Sequence, residues 1–333
     1  MREPPHADWR YRFAEHRSTL LALLTFLVMF CIYVSNHPAG FTANVVNTSA
    51  NKGVLLALVA MAQTMVVLTG GIDLSVGMIF ILCNCLASYM VAGSALQAAL
   101  GVLAVLAVGL ICGAANGMIV IYGRLQPIVT TIATGAIFFG LALWLRPVPG
   151  SVDDFDADLA DALTGRLAGG IPTSLIVLLV VVLLVWVPFR RSEIGRAAYA
   201  VGSSEVAAYM SGVPIRRAKF VAYALSGLLA AMGGLFLTFF TDSGEASVAN
   251  GSTYTLYSIA AVVLGGVSLF GGTGSAIGAI FGALAFRTIG DLLFVFDLDP
   301  LWQPLFQGCI LLVAVSLGSA RLVQVRNRLD LFR

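Results

Sequence analysis

The chain has 333 residues, 59% of them hydrophobic and only 11% charged, with a mean hydropathy of +0.94. That charge content is too low to cover a soluble domain of this length, so lipid must replace water around most of the outside. The formal net charge of +2 is small and spread out, which gives no footing for nucleic-acid binding.

The first segment, 1–18, is polar and basic, and an apolar run follows from Thr19 to Val34. A secretory leader begins in the same way, but no clear small-residue cleavage site follows and many more apolar runs do. It reads as a retained first span behind a cytoplasmic N-terminal segment. A helix needs about 20 residues to cross the hydrocarbon core, and backbone facing lipid must bond within its own segment. On that basis the spans fall at 19–35, 53–69, 76–93, 97–121, 128–145, 172–189, 218–240, 255–270, 275–295 and 302–319. The expectation is an all-α polytopic membrane protein of about ten helices. One transmembrane domain covers 19–320, including a long inner segment at 190–219, and a cytoplasmic tail follows at 321–333.

Lys and Arg positions set the orientation. With the N-terminus inside, 15 of the 19 basic residues are cytoplasmic, Lys52, Arg146 and Arg166 are outside, and Arg287 lies within a span. The outer stretch Pro147–Gly170 is acidic, with Asp153, Asp154, Asp156, Asp158 and Asp161 together. It reads as a solvated face or as a docking surface for an external partner.

Two spans end in similar glycine-rich text, Val66-Val67-Leu68-Thr69-Gly70-Gly71-Ile72-Asp73-Leu74-Ser75-Val76-Gly77 and Val262–Ser275. Paired glycines permit the positive φ and close approach that a broken membrane segment requires. The likeness suggests an internal repeat with two glycine-broken segments. Unwound backbone and helix ends near the membrane interior can line a polar path, so Asp73, Ser75 and Ser268 are candidates for path or gating. Simple helix capping by Asp73 and Ser75 is the plainer reading. Glycines four apart, Gly109, Gly113 and Gly117, then Gly274, Gly278 and Gly282, mark close helix packing.

Asn84, Asn116, Gln63, Thr130, Thr131 and Thr134 are polar groups within or beside spans and should face the bundle interior. Their amides and hydroxyls suit a neutral polyhydroxylated solute, or equally bonds between helices. Arg287 and Asp291 are four apart and can share a helix face. They read as an ion pair, a snorkelling arginine, or groups that meet solute. The five cysteines lie in apolar runs with no histidine nearby, so no metal site is expected. The chain carries neither a proton-relay series nor a Gly-x-x-x-x-Gly-Lys phosphate loop, so active transport would draw on another subunit.

Within the inner segment, Gly202–Gly212 reads as a short helix, with Ser203 or Ser204 as cap, Glu205 in the first turn and Gly212 at the C′ position. It could serve as a lever for a cytoplasmic partner, or the basic residues Arg216, Arg217 and Lys219 could simply anchor it to the lipid surface.

These motifs together give a resemblance. Gly70–Gly77, Ala260–Ser275, Gln126–Thr131, Glu205–Ala208 with Ser211-Gly212, and Tyr223–Gly227 resemble the inner-membrane permeases of bacterial ATP-binding-cassette monosaccharide importers, the ribose/xylose/arabinose/galactose branch. The resemblance runs from about Leu20 to Leu317. It implies a homodimer or a closely related pair, a cytoplasmic ATPase pair that uses the ATP, and a periplasmic binding protein that delivers a monosaccharide or polyol. No cofactor is expected on this chain. The resemblance makes Gly202, Glu205, Ala208, Ser211 and Gly212 the coupling residues. The stretch Arg287–Asp291 departs from the family's usual asparagines and glycine, which widens the solute class. An ion-gradient transporter, or a structural or receptor-like membrane protein, is the competing reading.

Overall fold

The computed structural model describes residues 9–151, 157–167, 169–310, 312, 313 and 316. In chain order the helices are α1 (Trp9–Asn36), α2 (Ala43–Val67), α3 (Val76–Met90), α4 (Ala95–Tyr122), α5 (Pro127–Leu145), α6 (Ala157–Thr164) and α7 (Thr173–Val181). A π-helical turn, Val182–Trp186, leads into α8 (Val187–Arg191); Pro188, which has no N–H to donate, follows directly. Then come α9 (Glu193–Ser203), α10 (Glu205–Met210), α11 (Ile215–Thr241), α12 (Val248–Leu264) and α13 (Ala276–Val295). A further helical stretch at 303–310 begins the last expected span, most of whose remainder lies outside the described residues.

Seven helical stretches among the described residues are long and apolar enough to cross a membrane: Arg17–Asn36, α2, α4, α5, Thr173–Arg191, α11 and α13. The chain is therefore polytopic, and its described residues are almost entirely helical. A two-residue strand β1 (Gly150–Ser151) pairs antiparallel with β2 (Ser243–Gly244). The apolar helices α3 and α12 are shorter, at 15 and 17 residues. At about 1.5 Å per residue neither spans the roughly 30 Å hydrocarbon core unaided. Each borders one glycine-rich segment, α3 following the first and α12 preceding the second.

The helix starts follow local chemistry. Ser94 and Gln97 form a capping box on α4, and Ser247 caps α12 by accepting from Asn250 N. Helix α2 is the hub, with 94% of its most apolar window buried against 11% for that of α1. It packs against α11, α13 and α12, while α1 lies on α13. Helices α4 and α5 present Leu100, Leu103, Ile111, Ile132 and Trp144 outward.

The glycine stripe on α4 lets it meet α11 backbone to backbone, since a Cβ at Gly113 would collide with the Tyr223 carbonyl and one at Gly109 with Ala231. Gly278 and Gly282 do the same for α13 against α12; Gly274 instead sits in the preceding loop with φ +121°. Of the acidic stretch, Asp153, Asp154 and Asp156 lie outside the described residues, while Asp158 and Asp161 are on α6. Helix α6 lies against α7 and α11, and Asn47 and Asn51 donate to its last carbonyl, Thr164 O, at 3.0 and 2.7 Å.

Candidate functional site

Helix α2 ends as Gly70 turns to φ +80°, and the chain stays unwound until α3 begins. Unwound backbone inside a protein needs partners for its N–H and C=O groups. Here side chains supply them. Asp73 Oδ1 accepts from Ser75 N at 2.9 Å and from Ser75 Oγ at 2.6 Å. Ser75 Oγ in turn accepts from Asn116 Nδ2 of α4 at 2.7 Å, and Leu74 N donates to Thr131 Oγ1 of α5 at 2.9 Å. With its amide oriented to suit, Gln63 donates to Asp73 O at 2.8 Å and accepts from Asp73 N at 3.2 Å. Asp73, Ser75, Asn116 and Thr131 are wholly buried.

Five of the expected residues, Gln63 among them, thus meet at one break. The carboxylate at the start of α3 is Asp73, which accepts from Ser75 N, whereas Ser75 occupies the N-cap position but makes no capping bond of its own. Its hydroxyl is spent on Asp73. Thr130 is one residue away and buried, with its hydroxyl unpartnered among the described residues. Asn84 serves elsewhere, just past the middle of α3. It donates to Thr238 Oγ1 at 2.9 Å and to Ser243 O at 3.0 Å, and accepts from Glu245 N at 3.0 Å.

The second break runs from Gly265 to Ser275, with positive φ at Gly266, Gly271, Gly272 and Gly274. Ser268 shapes it from within, donating its N–H to Thr273 O at 3.1 Å and accepting from Phe270 N. The two breaks touch, since Gly272 N donates to Leu68 O at 3.1 Å. Gly202, the penultimate residue of α9, fits between them. A Cβ there would strike Leu68 O and Gly272 N. Tyr199, also on α9, donates from its hydroxyl to Gly274 O at 2.7 Å. One short helix therefore bears on both unwound segments.

Beyond it Ser204 caps α10 by accepting from Ala207 N at 3.3 Å. Gly212, at φ +71°, closes the helix with Val213 N donating to Ala208 O at 3.0 Å. The segment is two helices rather than one, and Gly202 belongs to the first. Ala208 is buried and Ser211 is the C-cap, while Val206, Tyr209 and Met210 are 75%, 75% and 81% exposed. Glu205 meets Lys219 at 2.8 Å. A cavity of about 680 Å3 beside α10 is lined by Arg124, Pro127, Tyr209, Arg216, Arg217 and Lys219.

Arg287 and Asp291 are absent from this assembly. They lie on α13 beside α1 and α2, and the expected pair between them does not form. Asp291 Oδ1 is instead 3.5 Å from Lys52 Nζ of α2.

Residues 45–315 match the family described as branched-chain amino acid transport system / permease component. The chain belongs to this permease family. Relatives include a probable ABC transporter permease of Sinorhizobium fredii, 37% identical over 79% of this chain and 78% of that protein. The ribose import permease protein RbsC of Bacillus subtilis is 34% identical over 79% of this chain and 81% of its own length. The fructose import permease protein FrcC of Rhizobium meliloti is 32% identical over 90% and 84%. No solved structure matches the chain.

Gln63 is one of the polar residues expected inside the bundle, and its clamp on Asp73 agrees with that. The Leu68 carbonyl and Tyr199 were not among the expected residues. Nothing in the local text pointed to either.

Proposed function

We propose that this permease is the membrane subunit of an ATP-driven importer for a monosaccharide or related polyol. Cytoplasmic ATPase subunits, a periplasmic binding protein and a second permease copy or close homologue complete it. The observation that carries the reading is Gly202, wedged between Leu68 O and Gly272 N and three residues before an exposed helix. The relatives named for ribose and fructose import support the solute class.

On this reading α10 is the coupling helix. Val206, Tyr209 and Met210 enter a groove on the ATPase, and Glu205, Ala208, Ser211 and Gly212 hold the helix in shape. Close backbone contact at Gly202 then transmits any displacement of the segment to both breaks, because packed interiors do not absorb movement softly. Asp73, Ser75, Asn116, Thr131 and Ser268 hold the breaks in one of two arrangements. Solute passes between paired permeases in the bacterial inner membrane.

The same reading carries ten spans, the two breaks as halves of an internal repeat, and both termini cytoplasmic, with the domain over 19–320 flanked by 1–18 and 321–333. Co-purification with the ATPase tests it. Glu205→Arg should leave the fold intact, since an exposed ion pair contributes about 0–1 kcal/mol, while weakening ATPase association and uptake. Unchanged association and unchanged uptake would contradict it.

A further inference from the structure

Among α1, α2 and α13, at the ends remote from Gly202, lies a cavity of about 640 Å3. Tyr33, Thr48, Lys52, Arg287, Asp291 and Gln303 are among its lining residues. Lys52 and Asp291 form a loose pair at 3.5 Å. Arg287 is one turn deeper, about 17 Å along α13 from its start at 1.5 Å per residue. Among the described residues it makes no hydrogen bond or ion pair. Its nearby ionisable neighbours include the phenols Tyr254 and Tyr257, which in their neutral form offer no countercharge. Counting His37 as neutral, the cavity holds two cations and one carboxylate.

An uncompensated guanidinium midway along a membrane helix is costly, and its planar fork fits a carboxylate or phosphate at two points. We propose that this cavity binds a carboxylate or phosphate group, held by Arg287 with Lys52 as the second cation. Thr48, Tyr33 and Gln303 offer hydrogen bonds to hydroxyls beside that group. The group has two sources. One is an acidic sugar derivative as the imported solute, which rests on the function proposed above; the other is the phosphodiester of a lipid headgroup.

The test uses the full chain in phosphatidylcholine nanodiscs, with gluconate, sorbitol and added phosphatidylglycerol as probes. Phenylglyoxal labelling of Arg287, followed by peptide mass spectrometry, reads occupancy on the unaltered protein. Protection by gluconate identifies the solute source, and protection by phosphatidylglycerol identifies the lipid source. Titration of Arg287→Gln should show affinity for the protecting anion lowered about tenfold, with Arg287→Lys less affected. Equal labelling under every condition, or protection by sorbitol as strong as by gluconate, overturns the proposal. Because labelling needs no ATPase, a chain that binds gluconate yet fails ATP-driven uptake separates this inference from the importer reading.

Discussion

At the residue scale, two positions carry most of the account. Gly202 is fixed by space, since any side chain meets backbone that cannot swing aside. Gly202→Ala should therefore push α9 off both breaks. The expected outcome is at least a tenfold loss of ATP-driven uptake, roughly 1.4 kcal/mol in the coupled step, with normal membrane insertion. Wild-type uptake by this variant would remove the wedge from the mechanism. Asn116 is fixed by chemistry, as the only α4 side chain bonded to the Ser75 hydroxyl among the described residues. Asn116→Ala leaves the buried Ser75–Asp73 pair without that donor. It should cost about 1–3 kcal/mol, visible as a lower thermal midpoint in detergent. An unchanged midpoint would show that Asp73 and Ser75 need no support from α4.

Legibility at this scale followed sequence distance. The α10 caps were readable because Ser204 and Gly212 act on their own helix. The Gly202 wedge was not, because its contacts lie more than 60 residues away in each direction and glycine gives no hint of a neighbour. The spacing of Arg287 and Asp291 misled for a related reason. A four-residue interval makes a pair geometrically open, but Lys52 from another helix reaches the carboxylate instead.

At the element scale, apolar run length made most of the helices legible, and the two short helices show what the glycines do. Helices α3 and α12, at 15 and 17 residues, are too short to span alone, and each adjoins one of the glycine-rich breaks. The acidic stretch before α7 was less legible, since composition alone reads as solvated and conceals α6, tied down by Asn47 and Asn51. Helix α10 is the exposed counterpart, as its apolar residues Val206, Tyr209 and Met210 lie mostly open. Replacing Val206, Tyr209 and Met210 together with serine should abolish ATPase co-purification without lowering the thermal midpoint, because exposed side chains add little to folding. Retained association would move the docking surface to another element.

At the scale of the whole molecule, the proposed importer joins a buried hub helix, two glycine-rich breaks and an exposed lever, and takes its energy from a separate ATPase. Orientation is part of that claim. A cysteine at Arg216 should react with a membrane-impermeant reagent only from the cytoplasmic side, and one at Lys52 only from the outside. Labelling of both from one side would break the topology.

The most direct measurement is solute uptake into proteoliposomes holding the purified permease, with its binding protein supplied and the ATPase subunits and ATP either present or withheld. The account predicts accumulation only when the ATPase and ATP are both present, and its loss with Gly202→Ala. Steady uphill uptake by the permease alone, driven by a proton or sodium gradient, would contradict it.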